Sequence, residues 1–177
     1  MISQYIKGRV YVFIDGANIF YTQKTLKWRI SYERLKQYFQ DECRNNLGKM
    51  FVYTASDKER PQQMKFLDML EINGYILRTK EVKRIRIAKG VYEWKGDFDV
   101  ELSMDVLDCL KEFDTAVLLS GDSDFAPIVE RMKKNNKRVI VMSAKNHISC
   151  ELIKLSDKYI NLKKLRDKIE LNNKKSP

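Results

Sequence analysis

The sequence predicts an α/β fold, a parallel sheet of about five strands covered by helices on both faces, and three observations carry this expectation. Strand-like apolar runs alternate with amphipathic helical runs along nearly the whole chain. The run Val10-Tyr-Val-Phe-Ile-Asp15 is almost continuously apolar, as a strand buried on both faces requires. Aspartates stand where strands end and where one helix begins: Asp15, Asp122 and Asp124 at the strand ends, and Asp99 at the helix start.

Taken in order, residues 10–15 form the first strand. Ser31 then caps a helix over 32–40, in which Leu35, Tyr38 and Phe39 recur at i, i+3, i+4. Residues 50–55 read as the second strand. Pro61 opens a helix through about Ile72, and Asn73-Gly74 ends it. A third strand begins at 75–78. A helix over 99–113 follows, with Val100, Met104, Leu107 and Leu110 as its apolar stripe. Residues 115–120 give the fourth strand. Asp124 is placed to cap a helix whose core face is Phe125, Ile128, Val129 and Met132. Residues 138–142 form the fifth strand, 147 to about 158 a further helix, and 159–162 a short apolar segment. From Lys163 a charged helix frays into a basic tail, so that residues 1–170 read as one domain and 171–177 as tail. No internal repeat or low-complexity linker interrupts it.

Thirty-four Lys and Arg against 24 Asp and Glu give a net charge of +10, which favours a polyanionic partner, nucleic acid first and an anionic membrane second. Solubility alone is the plainer account of that charge. Cys43, Cys109 and Cys150 are odd in number and widely spaced, which excludes a disulfide framework or a zinc signature and suits a reducing cytoplasm. Cys109 falls in an apolar helical pattern, as a small core residue does. No segment approaches ~18 consecutive apolar residues and the N-terminus has no apolar leader, so no membrane attachment is expected.

If the strands ending at Asp15 and Ser120 are parallel neighbours, their carboxylates emerge at one sheet edge, where open α/β folds place their sites. A cluster of carboxylates repels itself and calls for a hard divalent cation, Mg²⁺ or Mn²⁺. Ser120-Gly-Asp-Ser-Asp124 is the strongest local signal, two carboxylates two residues apart in a turn between strand and helix. Its plain alternative is a turn-forming Asp122 and a capping Asp124. Gly16, after Asp15, permits an unusual backbone angle and close approach of a ligand. Asp97 and Asp99 stand near a helix start, where negative charge is favourable anyway. Asp105 lies about 240° around that helix from Asp99 at ~100° per residue, off its face. Lys83, Arg84, Arg86 and Lys89, with Tyr92 and Trp94 among them, form a basic arm that ends at Lys95 and suits gripping single-stranded nucleic acid. A solvated surface hairpin is its alternative. The basic set from Lys154 to Lys168 follows helical spacing and reads as a solvated face. His147, the sole histidine, has no acid–base partner in the pattern and reads as a surface or packing residue.

These motifs together resemble the NYN-domain proteins, the LabA-like branch of the PIN-like metal-dependent ribonucleases. Tyr11-Val-Phe-Ile-Asp-Gly-Ala-Asn-Ile-Phe20 is similar to that family's opening strand and turn. Lys95-Gly-Asp-Phe-Asp-Val-Glu-Leu-Ser-Met-Asp105 is similar to its Lys-Gly-x-Asp-x-x-Leu-x-x-Asp segment, with one extra residue before Asp99. Leu118-Leu-Ser-Gly-Asp-Ser-Asp-Phe125 resembles its most recognisable element, and the likeness runs from about residue 9 to 162. The resemblance implies a Rossmann-like, PIN-type, three-layer α/β/α fold with an acidic pocket for Mg²⁺ or Mn²⁺. Asp15, Asp99, Asp122 and Asp124 fall on its acidic positions, and Asn18 and Ser120 on polar positions that order water, metal or phosphate. Asp105 also matches the pattern. The extra residue leaves Asp97 as a rival to Asp99, and the helix register favours Asp99.

The expectation is a metal-dependent (endo)ribonuclease in the cytoplasm, with RNA ahead of DNA as partner and a homodimer left open. Asp15 and Asp122 are the expected direct ligands, Asp99 and Asp124 act directly or through water, and Lys95 steadies the phosphate. The rival is a non-catalytic RNA-binding or regulatory module that keeps the pocket. A phosphatase of the haloacid dehalogenase type needs a second Asp two residues after the first, where this chain has Ala17. A dinucleotide oxidoreductase needs a Gly-x-Gly-x-x-Gly turn that is absent after residue 15.

Overall fold

Apolar runs too short for helices, and rich in Val, Ile, Phe and Tyr, become the strands. The computed structural model describes residues 2–57, 59–81 and 97–171, with backbone alone at 83–88 and 91–95. Its strands are β1 (Val10–Asp15), β2 (Leu47–Ser56), β3 (Ile76–Glu81), β4 (Lys83–Ala88), β5 (Val91–Lys95), β6 (Thr115–Leu119), β7 (Arg138–Ser143) and β8 (Lys158–Asn161). Its helices are α1 (Gly16–Leu26), α2 (Tyr32–Cys43), α3 (Pro61–Ile72), α4 (Asp99–Asp108), α5 (Ala126–Lys134), α6 (Cys150–Leu155) and α7 (Arg166–Ile169).

Among the described residues, six strands form one parallel sheet in the order β3-β2-β1-β6-β7-β8, and β4 and β5 pair antiparallel as a separate hairpin. Side chains alternate across the sheet with period two. Val10, Val12, Ile14, Val52, Val117 and Ile140 face a layer containing Ile19, Leu35, Phe39, Leu70 and Ile169. Tyr11, Phe13, Phe51, Leu118 and Val141 face the opposite layer, with Leu102, Val106, Val129 and Leu152. Burial on both faces explains the unbroken apolar character of β1, and the Phe13 and Phe51 rings stack at 5.3 Å across β1 and β2. This is the expected three-layer α/β/α arrangement. No helix among the described residues is long and apolar enough to cross a membrane.

Ser31 caps α2 as expected, accepting from the Arg34 N–H at 3.2 Å, and Pro61 opens α3. Three expectations are corrected and one helix is added. The sheet has six strands rather than five, because the apolar segment after residue 158 pairs with β7 as the half-buried edge strand β8. Helix α1 was not legible, since Ile19 and Thr22 are its only fully buried side chains and no periodic stripe results. Helix α4 stops at Asp108 and buries the other face: Val100, Met104 and Leu107 are 67%, 57% and 45% exposed, whereas Phe98, Leu102, Val106 and Cys109 are buried. Both sets have helical spacing, and the aromatic layer around Phe51 and Phe113 selects the second. The helix expected from His147 is only α6, capped by Ser149, and His147 closes a short 3₁₀ turn before it. The charged run after Lys163 reaches α7, whose Ile169 is fully buried and whose carbonyl accepts from the Ser31 N–H at 2.9 Å. Residues 172–177, expected to fray, lie outside the described residues.

The edge strand β8 is pinned by Asp157. Its Oδ2 accepts from the Val139 N–H at 2.8 Å, while Oδ1 takes the Lys133 ammonium and lies 3.6 Å from Arg138. Burial alone would raise this carboxyl, but Lys133, the Val139 N–H and Arg138 together hold it below its ordinary value. A depressed pKa contributes stability above the unfolded value and loses it as pH falls through the folded one. Asp157→Ala should therefore cost about 1–3 kcal/mol near neutral pH, with the gap to wild type narrowing in acid. Urea titrations at the two pH values check this, and an unchanged gap would refute the ionic account.

Candidate functional site

The chain leaves β3 on one side of β1 and enters β6 on the other, so β1 and β6 are neighbours whose connections diverge. That topological switch point opens a crevice at the C-terminal strand ends. The register Ile14↔Leu119 brings Asp15 level with Ser120. The fully buried Ser120 hydroxyl donates to Asp15 Oδ2 at 2.8 Å and accepts from the Asp122 N–H at 3.2 Å. Asp15 Oδ1 accepts from the Asn18 N–H at 3.0 Å and so caps α1, and Asp122 Oδ1 accepts from the Asp124 N–H at 3.1 Å. The capping role expected of Asp124 thus belongs to Asp122, which starts a 3₁₀ turn ahead of α5, and Asp124 is an exposed carboxylate.

Two glycines make this crowding achievable. A Cβ on Gly121 would sit 1.5 Å from the His147 carbonyl oxygen, and one on Gly16 would sit 2.5 Å from that of Tyr53. Gly16 is helical without a positive φ, so its requirement is close approach of β2 rather than an unusual angle. His147 packs its backbone on Gly121, and its Nε2 lies 2.6 Å from Thr25 Oγ1. The packing reading of that histidine holds.

Asp99 enters from the first turn of α4, where its N–H is held by Asp97 Oδ1 at 3.0 Å. Burial, then Asp97, then the charges of Asp122 and Asp15 push the Asp99 carboxyl up to about 7. Asp15 is likewise raised, by burial first and by Asp122, against the opposing hydrogen bonds from Asn18 and Ser120. Asp99 thus feels the charges of Asp15 and Asp122, and Asp97 stands beside it at the helix start. Asp105 is engaged elsewhere: Arg78 grips it with two hydrogen bonds of 2.8 and 3.0 Å, and the Tyr53 hydroxyl donates to it at 2.9 Å. That geometry gives Asp105 the task of fixing α4 to β2 and β3.

The donor set is all oxygen, which suits a hard divalent cation. Asn18, whose backbone N–H donates to Asp15, has a buried Oδ1 without a hydrogen-bond partner among the described residues, as does the Thr22 hydroxyl one turn further along α1; the Asn18 oxygen is an acceptor that a cation or its water would satisfy. In this arrangement no three acidic, His or Cys side chains among the described residues already converge at ligating distance. The carboxylates of Asp15 and Asp122 are instead turned onto Ser120 and backbone N–H groups. The side chains of Lys83, Arg84, Arg86, Tyr92, Trp94 and Lys95, and the whole of Lys89, lie outside the described residues. The backbone there pairs Arg84 with Trp94 and Arg86 with Tyr92.

Comparison with known proteins converges on the family that the motifs resemble. The NYN domain model matches residues 9–163. The chain is 31% identical over 172 residues to the Low amplitude and bright protein LabA of Synechococcus elongatus, covering 96% of this chain and 92% of that protein. It is 32% identical over 69 residues to the uncharacterized protein MJ0482 of Methanocaldococcus jannaschii, 38% of this chain and 29% of that one. The crystal structure of VPA0982 from Vibrio parahaemolyticus, a protein of unknown function, shares the fold with a TM-score of 0.77 at 23% identity, covering 93% and 97% of the two chains.

A folded pKa above the unfolded one means that the native state binds more protons between the two values. Asp99 therefore erodes metal-free stability as pH rises from the ordinary carboxylate range through about 7. In EDTA, Asp99→Asn should lose less melting temperature than wild type between about pH 5 and about pH 8, and match or exceed it at the upper end. The raised Asp15 leaves part of the decline in place. Parallel melting profiles for the two proteins would sink this account of the cluster.

Proposed function

The chain belongs to the NYN domain family, and from that premise we propose that it is a metal-dependent nuclease hydrolysing RNA phosphodiester bonds at Asp15, Asp99, Asp122 and Asp124. The observation that carries the reading is the junction at the switch point. Ser120 links Asp15 to Asp122, and Asn18, whose backbone N–H donates to Asp15, carries a buried side-chain oxygen without a hydrogen-bond partner among the described residues. Bound Mg²⁺ or Mn²⁺ supplies positive charge to the scissile phosphate and acidity to the attacking water.

Asp15 and Asp122 would hold the cation directly, and Asp99 and Asp124 directly or through ordered water. Ser120 keeps Asp15 oriented, and Asn18 adds a neutral oxygen without further repulsion. Lys95 and the basic arm are assigned to the phosphate backbone, and the +10 charge draws the polyanion in. RNA is favoured over DNA, and the exposed thiol of Cys150 suits a reducing cytoplasm. One observation favours a second reading, a nucleic-acid-binding module without turnover: the carboxylates now serve as caps, and no three among the described residues stand together.

Labelled RNA and DNA incubated with Mn²⁺, Mg²⁺ or EDTA separate the readings. The nuclease should cleave only with metal, and Asp122→Asn should reduce the rate about a hundredfold or more without unfolding the protein. Mn²⁺ should raise the wild-type melting temperature by mass action, and Asp15→Asn and Asp122→Asn should lose most of that rise. A thermal shift without cleavage of any strand would favour the binding module, and no shift would remove the metal site.

A further inference from the structure

Next to the acidic crevice, a groove of about 1170 Å³ lies between α1 and the segment that leads into α3. Gly16 and Ala17, the two residues after Asp15, line it, so the groove opens one residue away from the cluster. Its wall on α1 carries Phe20 and Tyr21, which are 53% and 58% exposed although β1, immediately before the helix, is almost wholly buried. The two rings meet edge-to-face at 5.5 Å. The Lys24 ammonium stands 4.3 Å from the Phe20 centroid and 5.3 Å from that of Tyr21. Arg29 and Arg60 also line the groove, and so do Asp57 and Glu59; Arg60 reaches Asp57 at 3.0 Å while remaining largely exposed, so among the described residues Lys24, beside the rings, and Arg29 are the cations with no ion pair to these acids.

Two adjacent aromatic rings left in water are unfavourable unless something covers them. The cations around them select the occupant. An apolar peptide or a core-like interface has no use for Lys24, Arg29 and Arg60, whereas a nucleotide brings both a flat π-face and a phosphate. A base that displaces the Lys24 ammonium from the rings gives that ammonium a phosphate to meet. Bases within a duplex are already stacked on both faces, so only unpaired bases can use such a platform.

We propose that this groove holds the unpaired bases of a single-stranded nucleic acid on one side of the acidic cluster, stacked against Phe20 and Tyr21, with neighbouring phosphates on Lys24, Arg29 and Arg60. The strand passes from the cluster over Ala17, whose small side chain is exposed beside Gly16 on the groove lining. The placing of these bases beside a cleavage point rests on the nuclease reading, but the binding does not. The platform makes single-strandedness a requirement read by α1, separately from the basic arm.

The test measures binding by fluorescence anisotropy in EDTA, on the Asp122→Asn background, so that cleavage plays no part. The probes are short single-stranded RNA and DNA oligonucleotides of mixed sequence and their duplexes. Phe20→Ala and Tyr21→Ala should each weaken single-strand binding about tenfold and leave duplex binding unchanged, whereas Tyr21→Phe should retain wild-type affinity. Arg29→Ala and Arg60→Ala should flatten the salt dependence, which the aromatic variants should not. With 2-aminopurine placed at successive positions, quenching should be confined to a few adjacent bases and should vanish in Phe20→Ala/Tyr21→Ala. Melting curves control for folding, and both rings are exposed enough to be removed. Single-strand affinity unchanged in the double variant, or an equal loss for duplexes, would overturn the proposal. So would loss of self-association in that variant with binding intact, which would make the groove a contact between copies. Ring-dependent binding by a protein that cleaves nothing would retire the nuclease reading and leave the groove standing. Cleavage with no ring dependence would do the reverse.

Discussion

The Ser120 hydroxyl lies fully buried at the seam between β1 and β6, donating to Asp15 and accepting from the Asp122 N–H. It is the point at which the two halves of the sheet, wound outward in opposite directions, are joined at their C-terminal ends. The candidate acidic site is arranged around it. On one side Asp15 caps α1, and on the other Asp122 starts the turn into α5. A hydroxyl is suited to the position because it donates to the carboxylate and accepts from the amide at once, so the buried Ser120 oxygen is itself fully paired. Alanine at 120 would leave Asp15 facing Asp122 with one compensating hydrogen bond fewer on each side.

Helix capping by Asp15 and Asp122 is compatible with the cation binding proposed for them. Without a cation, each carboxylate satisfies orphan N–H groups and gains from a helix or turn dipole. Those contacts offset the cost of burying Asp15 beside other acids, but incompletely, and its carboxyl remains raised together with that of Asp99. Under the proposed function, that uncompensated negative charge is what a divalent ion would relieve. Gly16 and Gly121 hold the geometry in place, since backbone carbonyls of Tyr53 and His147 stand where their side chains would be.

Sequence made the middle of this site legible and blurred its edges. Asp15, Ser120 and Asp122 could be read because they terminate runs whose apolar character is set by burial on both faces, a signal that depends little on tertiary detail. Asp99 was readable from its helix start. The buried face of α4 was not, because Val100, Met104 and Leu107 share the helical spacing of Leu102 and Val106, and only the aromatic layer beneath decides. Strand β8 was obscured by its half-buried edge position and by its dependence on Asp157, a distant contact. The obligatory glycine at 121 was hidden because its reason, the His147 carbonyl, lies far along the chain.

The connection from β3 to α4 shows how the same physics reaches the basic arm. Lys80, next to the last residue of β3, donates to the Asp97 carbonyl at 2.8 Å and pairs with Glu101 at 2.6 Å. Its ammonium also stands 5.0 Å from the buried Phe98 ring. One side chain thus ties the residue before the hairpin to the residues after it, and closes the base of the loop that contains β4 and β5. Arg78, two residues earlier, does the same further along α4 through Asp105. Because Asp97 and Asp99 sit at that closed base, the start of α4 is held against β3 at the moment it presents Asp99 to Asp15 and Asp122. The hairpin is therefore rooted at the acidic cluster. Under the proposed function, a strand held by the arm would reach the carboxylates past that root.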